Sequence, residues 1–286
     1  MKKVKFVLKK FVSLLCIYVS IFLLLLVPFY FSGFKGIPPL NLTNLLHPFS
    51  INYVDFNTKR KIFVLPLLLD KYSYSMTLLF VSFIIAIICA TFLNYLFEIS
   101  SSRIRKFIRS LLDVFESVPE VMLVMLLQIG IASIFMATGY LVADIVVFGE
   151  ERTYLLPIIC LSIVPTIYLF RMMVLETENQ RIQPYVEFAI SKGFSKTYIL
   201  FRHMFPNIII NLLNYSRSIF LFMLSNLIII EILFNIQGYM NAIRNYYFFT
   251  FDICLIWFFL LVTPFYIINT VFLFIASKWS GGEVID

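Results

Sequence analysis

The chain has 286 residues, 61% hydrophobic and 14% charged, with a mean hydropathy of +0.93. Soluble domains average about 45–50% apolar and about 25% charged residues, so a soluble globular domain is excluded. The net charge of +7 sits beside apolar runs rather than in one basic stripe, which speaks against nucleic-acid binding.

A run of about 18 or more apolar residues can cross the hydrocarbon core as a helix. The first such run, Phe11–Phe34, follows the basic opening MKKVKFVLKK. It exceeds a signal-peptide core of about 7–15 residues and has no A-x-A-like cleavage site after it, so a retained first span is expected. From Ser32 to Lys71, residues Gly33, Gly36, Pro38, Pro39, Asn41, Asn44, Pro48 and Asn52 favour turns. The second run is Tyr72–Phe97. A short link follows, in which SSSRIRKFIR reads as the start of an interfacial helix. The third run, Val121–Ala143, is preceded by DVFESVPE, where Pro119 suits a first helical turn or a kink. Asp113, Glu116 and Glu120 mark the inner end of that span.

After a brief link, Asp144–Arg152, comes the fourth run, Thr153–Phe170. The fifth region, Ile208–Phe234, is interrupted by Arg217 and Glu231. Gln237–Asp252 forms the last outer segment, and Ile253–Ser277 is the sixth run. The expected fold class is all-α, a polytopic membrane protein with six transmembrane helices. Barrel strands would instead show short alternating segments. The chain divides into a first span with its outer segment, residues 1–71, and a five-span core, residues 72–286.

Alternating topology with an inner N-terminus places fifteen Lys and Arg residues inside and seven outside, leaving Arg217 in the membrane. That bias follows the positive-inside rule and puts both termini in the cytoplasm. Cys16, Cys89, Cys160 and Cys254 fall in four different runs and form neither a metal pattern nor a disulfide framework. His47 and His203 lie on opposite sides, so neither a zinc site nor a catalytic triad is expected.

Between the fourth and fifth runs the sequence turns polar: YVEFAISKGFSKTYILFRHMFPN, residues 185–207. Pro184 suits the first turn of a helix, and Val186, Ala189 and Ile190 then share one face. Gly193 can take the left-handed conformation that follows a helix. Ser195 can cap a second helix through Thr197–His203, and Pro206 marks a break before span five. The apolar stripe needs a surface, and either the protein's own spans, the membrane or a partner would serve.

The spacing of Glu187, Ala189, Gly193 and Pro206 resembles the EAA loop of ABC-importer permeases. Phe188 stands where that motif has its first alanine, and His203 and Phe205 replace an isoleucine and a leucine. Tyr185-Val186-Glu187, Arg202-His203 with Pro206-Asn207, Ser117-x-Pro119 and Glu231-x-x-Phe234-x-Ile236-x-Gly238 resemble the oligopeptide/dipeptide branch. The resemblance implies a permease subunit whose loop at about residues 181–207 holds a cytoplasmic coupling helix. Tyr185, Glu187, Ala189, Gly193, Arg202 and Pro206 would form its ATPase-coupling set. It further implies a second permease, homologous but not identical, two ABC ATPases and an extracytoplasmic substrate-binding protein in a bacterial plasma membrane. ATP and magnesium would be used by the ATPases, with no cofactor on this chain. Peptides are the default cargo, with nickel or another small solute as the alternative.

The chain has no G-x-x-x-x-G-K-[ST] phosphate loop, and the tail SGGE at 280–283 reads as a loose end. No catalytic residue is expected. Ionisable groups inside a membrane are costly and tend to face a protein interior or a wet cavity. Arg217 fits either snorkelling to the interface or a place with Asn214, Asn226 and Glu231 along a translocation path or gate. The rival class is a stand-alone secondary transporter or channel, which the lack of an inverted repeat disfavours.

Overall fold

The computed structural model describes residues 2–31, 49, 52–54, 61–149, 151–246 and 251–279. His47, residues 280–283 and much of the segment between the first two spans lie outside these. In chain order the elements are α1 (Lys2–Phe31), β1 (Asn52–Val54), β2 (Lys61–Phe63), α2 (Val64–Ile99), α3 (Ser102–Ser117), α4 (Glu120–Thr138), α5 (Leu155–Arg181) and α6 (Pro184–Ser191). Then follow α7 (Lys196–Ile199), a π-turn (Leu200–Met204), α8 (Phe205–Leu233), α9 (Tyr239–Tyr246) and α10 (Phe251–Trp279).

Five of these helices are long and apolar enough to cross a membrane: α2, α4, α5, α8 and α10. The 30-residue α1, whose described apolar stretch is Val12–Val27, completes the six-span, all-helical layout. The segment between α1 and α2 adds what the apolar pattern could not show, a small antiparallel ribbon pairing Asn52 with Phe63 and Val54 with Lys61.

Inside lipid, hydroxyls and freed carbonyls must find partners within the helix or its neighbours. Thr91, Ser133, Thr138 and Ser225 accordingly donate to the carbonyl four residues back. Pro165 lies inside α5 and Pro264 inside α10. Beside each, a threonine donates back to a carbonyl, Thr166 to Ser162 at 2.7 Å and Thr263 to Phe259 at 2.6 Å.

The chain separates into two compact units. The first comprises residues 1–75 and 237–270. Here Leu25 of α1 packs on Leu255 of α10 among Phe22, Phe258 and Phe259. The buried Tyr239 ring stacks on Trp257 with centroids 5.3 Å apart. Their polar ends are reciprocally satisfied: Tyr239 Oη donates to the Trp257 carbonyl at 2.6 Å, and Trp257 Nε1 donates to the Tyr239 carbonyl at 3.1 Å. Ser75 Oγ accepts from the Tyr239 amide at 2.8 Å.

The second unit comprises residues 76–236 and 271–286 and is organised around α5 and α8. Phe83 meets Phe220 edge-on at 5.7 Å, and Phe97 meets Phe170 in the same way at 5.8 Å. Helix α8 ends in a Schellman closure. The Ile236 amide donates to the Glu231 carbonyl at 2.8 Å and the Asn235 amide to the Ile232 carbonyl at 3.2 Å, with Asn235 at φ 54°. Asparagine tolerates that left-handed position better than other non-glycine residues. The run Glu231-x-x-Phe234-x-Ile236 is therefore a helix terminator whose Phe234 and Ile236 are fully buried.

Candidate functional site

The polar insert folds as helix, left-handed glycine, capped helix, as its residues dictate. Gln183 precedes α6 and Pro184 occupies its first turn. Gly193 follows at φ 79°, and a Cβ there would meet nothing within 4 Å. A side chain at this position is therefore opposed by backbone conformation rather than by crowding. Ser195 Oγ accepts from the Tyr198 amide at 3.3 Å, capping α7.

Two expectations are corrected at this point. Pro206 makes no break, because the chain continues from α7 through the π-turn directly into α8, where Pro206 sits in the first turn. The wide turn, closed by the Phe205 amide donating to the Leu200 carbonyl, delivers the proline to a position where a missing N–H costs no hydrogen bond. The buried stripe of α6 is also narrower than expected. Val186 and Ala189 are 1% and 3% exposed, but Ile190 is 57% exposed. The stripe is buried against the protein's own elements, the end of α5, α7 and the π-turn. The opposite face presents Glu187 and Phe188, and Lys192 Nζ lies 4.3 Å from the Phe188 ring centroid.

Helix α6 is also tied to both neighbouring spans. Tyr185 Oη donates to Gln180 Oε1 at the end of α5, and Asn207 Nδ2 in the first turn of α8 donates to Tyr185 Oη at 3.1 Å and Gln180 Oε1 at 3.4 Å. Arg202 is exposed on the π-turn. His203 of the same turn stacks on Phe194 at 6.0 Å and lies against Tyr198 at 5.7 Å. Tyr185, Ala189, Gly193 and Pro206 thus belong to one connected corner of the fold, with Glu187 on its outward face.

Sequence reading missed the polar clasp behind that corner. Arg181 pairs with Glu98, Arg109 with Glu178, and Arg171 with Glu116. Glu176 is nearly buried and accepts from Asn211 Nδ2 at 2.7 Å, joining α5 to α8. Asn94 Nδ2 donates to Thr177 Oγ1 at 3.3 Å, joining α2 to α5. The charges were visible, but every pairing is between residues 35 to 83 positions apart in the chain, a separation that no local spacing rule reaches.

The four polar positions of span five do not form one cluster. At about 100° per residue, Arg217 and Glu231 fall on one side of α8, separated by about 21 Å along it, and Asn226 faces away from both. Asn226 instead lines a small cavity together with Glu120 at the start of α4. Arg217 is exposed and Glu231 fully buried. The Asn214 side chain lies outside the described residues.

A family model matches residues 82–280, that of the binding-protein-dependent transport system inner membrane component. The chain belongs to this family. Comparison with curated proteins returned no match. Among solved structures, two crystal forms of the inward-facing MetNI methionine ABC transporter share the permease's fold. Their TM-scores are 0.53 and 0.55 at 13% and 14% identity, over 76% of this chain and 95% and 97% of theirs. An amino acid ABC transporter with histidines matches at TM-score 0.53 and 18% identity, over 76% of this chain and 94% of that one. At these identities the likeness is one of fold. The permease is an integral membrane protein, the inner-membrane component of a binding-protein-dependent transport system.

Proposed function

We propose that this permease carries peptides into a bacterial cell and is driven through α6 by a separate ATPase. The observation that carries this reading is the two-faced construction of α6. Its Val186–Ala189 face is locked into the permease, its Glu187–Phe188 face is open, and its Tyr185 is bonded to the adjoining ends of α5 and α8. A push received on the open face is thereby passed to two spans at once. Tyr185, Glu187, Ala189, Gly193, Arg202 and Pro206 form the coupling element in this reading. ATP and magnesium act on the partner ATPases and not on this chain.

The assembly we infer has two permeases, two ATPases and an extracytoplasmic binding protein, with both termini of this chain in the cytoplasm, as the Lys and Arg bias favours. Residues 72–286 make up the transport core, with 1–71 as an added span and outer segment. Glu231 and Arg217 border the path at different depths, while Asn226 with Glu120 lines a separate cavity. The peptide class rests on the sequence wording around Tyr185, Arg202, Ser117 and Glu231. Methionine and other amino acids, the cargo named for the solved structures, are the competing class.

The test is purification of the tagged permease from its own cell, followed by uptake in vesicles. An ATPase should copurify, and Glu187→Ala should lower ATP-dependent uptake about tenfold while the chain still inserts, about 1.4 kcal/mol of lost coupling. Normal uptake by the variant, or uptake on an ion gradient with no ATPase, would overturn the reading. Competition of labelled dipeptide uptake by peptides, but not by methionine, decides the cargo.

A further inference from the structure

Behind α6 lies an open cavity of about 700 Å³ lined by the end of α2, the start of α3, the end of α5, α6, α7 and the π-turn. Its polar side carries Arg105, Arg181 and Lys196 against a single carboxylate, Glu98, an excess of two positive charges. Of these, Arg181 is already paired with Glu98. Arg105 is held rigidly but by neutral groups, its Nη2 donating to the Glu98 carbonyl at 2.6 Å and its Nε to the Ser100 carbonyl at 3.1 Å. Among the described residues Lys196 has no carboxylate partner. Ser101 and Thr197 add hydroxyls to the same wall. The opposite wall is apolar and closed, with Val186, Leu200 and Met204 at 1%, 5% and 5% exposure.

We propose that this cavity binds a phosphate group, carried by an anionic glycerophospholipid or by a soluble phosphate ester. Arginine and lysine fixed around hydroxyl donors recognise phosphate through charge-assisted hydrogen bonds. The wall formed by Val186, Leu200 and Met204 offers an apolar surface on which the glycerol and first acyl carbons of a lipid would rest. Basic residues at the ends of membrane spans attract anionic headgroups. Occupancy would wedge α6 against α2 and α5, so the bound anion would set how stiffly α6 is mounted. The proposal does not depend on which cargo is carried or on whether an ATPase docks on the outer face of α6.

The full chain, purified in detergent with the subunits that accompany it, is titrated in native mass spectrometry with three probes. These are phosphatidylglycerol, phosphatidylcholine of the same acyl chains, and glycerol 3-phosphate. The first phosphatidylglycerol should bind about tenfold more tightly than phosphatidylcholine. Lys196→Gln should weaken that step about three- to tenfold, and Lys196→Arg should restore it. Lys196 is exposed, so these variants leave the packed wall intact, and Thr197→Val supplies a second, uncharged probe of the same wall. Saturable, Lys196-dependent binding of glycerol 3-phosphate without lipid selectivity supports the phosphate site and assigns it to a soluble ester. Equal retention of the two lipids together with no glycerol 3-phosphate binding overturns the proposal. So does phosphatidylglycerol binding that is unchanged in Lys196→Gln and Thr197→Val.

Discussion

The corner around α6 and the span α4 are built on opposite plans. Around α6, Tyr185 is hydrogen-bonded to the ends of α5 and α8, ion pairs tie the end of α5 to α2 and α3, and the eight residues of α6 bury two side chains. Span α4 has 19 residues, of which Val124 is buried, and Met136 is 86% exposed. A polar tie of α4 to the rest is Gln128, whose Nε2 donates to the Ile145 carbonyl at 3.0 Å and the Leu233 carbonyl at 3.4 Å. Stability in the first region comes from specific partners within the chain. In the second it must come from what surrounds the chain. A region held by its own bonds can transmit a displacement, whereas one held by its surroundings can shift against them.

The contrast is broken most severely at Glu176. Glu176→Ala removes a charge-assisted hydrogen bond to Asn211 and should cost about 1.5–3 kcal/mol, visible as a lower unfolding temperature in detergent. Glu176→Gln should recover part of that loss. An unchanged unfolding temperature in the alanine variant would show that the clasp is not what joins α5 to α8.

Gly193→Ala should cost about 1–2 kcal/mol because an L-residue is forced into the left-handed region. Since open space surrounds the site, Gly193→Asn should be milder. If alanine and asparagine are equally tolerated, the φ of 79° is not maintained in the working protein.

Smaller still is the exposed pair Arg109–Glu178, worth about 0.2–1 kcal/mol and weakened by salt. Exchanging the two residues should restore what either single reversal loses, and the difference should vanish in high salt. Persistence of the loss in the exchanged variant would mean that Arg109 acts mainly through the Phe97 ring, 5.5 Å from its guanidinium carbon.

The least effect is expected at Met136 on α4. Met136→Ala should change the stability of the isolated chain by less than about 0.5 kcal/mol, as is usual for exposed sites. A fall in the yield of assembled complex, at unchanged chain stability, would show that a second permease covers this face. A large fall in chain stability would contradict the exposure itself.

Much of this architecture was legible because lipid imposes a strong filter. A helix crossing about 30 Å of hydrocarbon needs about 20 apolar residues, and few soluble constraints mimic that. The six spans, Pro119 before α4, Pro184 opening α6, Gly193 after it and Ser195 capping α7 were all readable from local chemistry. Two features of the insert were not. Pro206 read as a break because its usual clash with the preceding turn is local, whereas the π-turn that relieves it is a property of the folded chain. Ile190 read as buried because helical spacing groups it with Val186 and Ala189, although α6 is too narrowly seated to cover it.

What the sequence determined by itself is therefore the membrane class, the number and order of spans, and the short helix set between spans four and five. These follow from hydropathy over windows of a turn or more and from residues with restricted backbone choices. Tertiary structure alone decided that α6 is bonded through Tyr185 to both neighbouring spans. It also decided that Glu98, Glu116, Glu176 and Glu178 each have a distant partner, and that Asn226 shares a cavity with Glu120 rather than with Arg217 or Glu231. A carboxylate carries no record of which arginine or asparagine it will meet. That choice is made only when the helices pack and bring residues far apart in the chain within hydrogen-bonding distance.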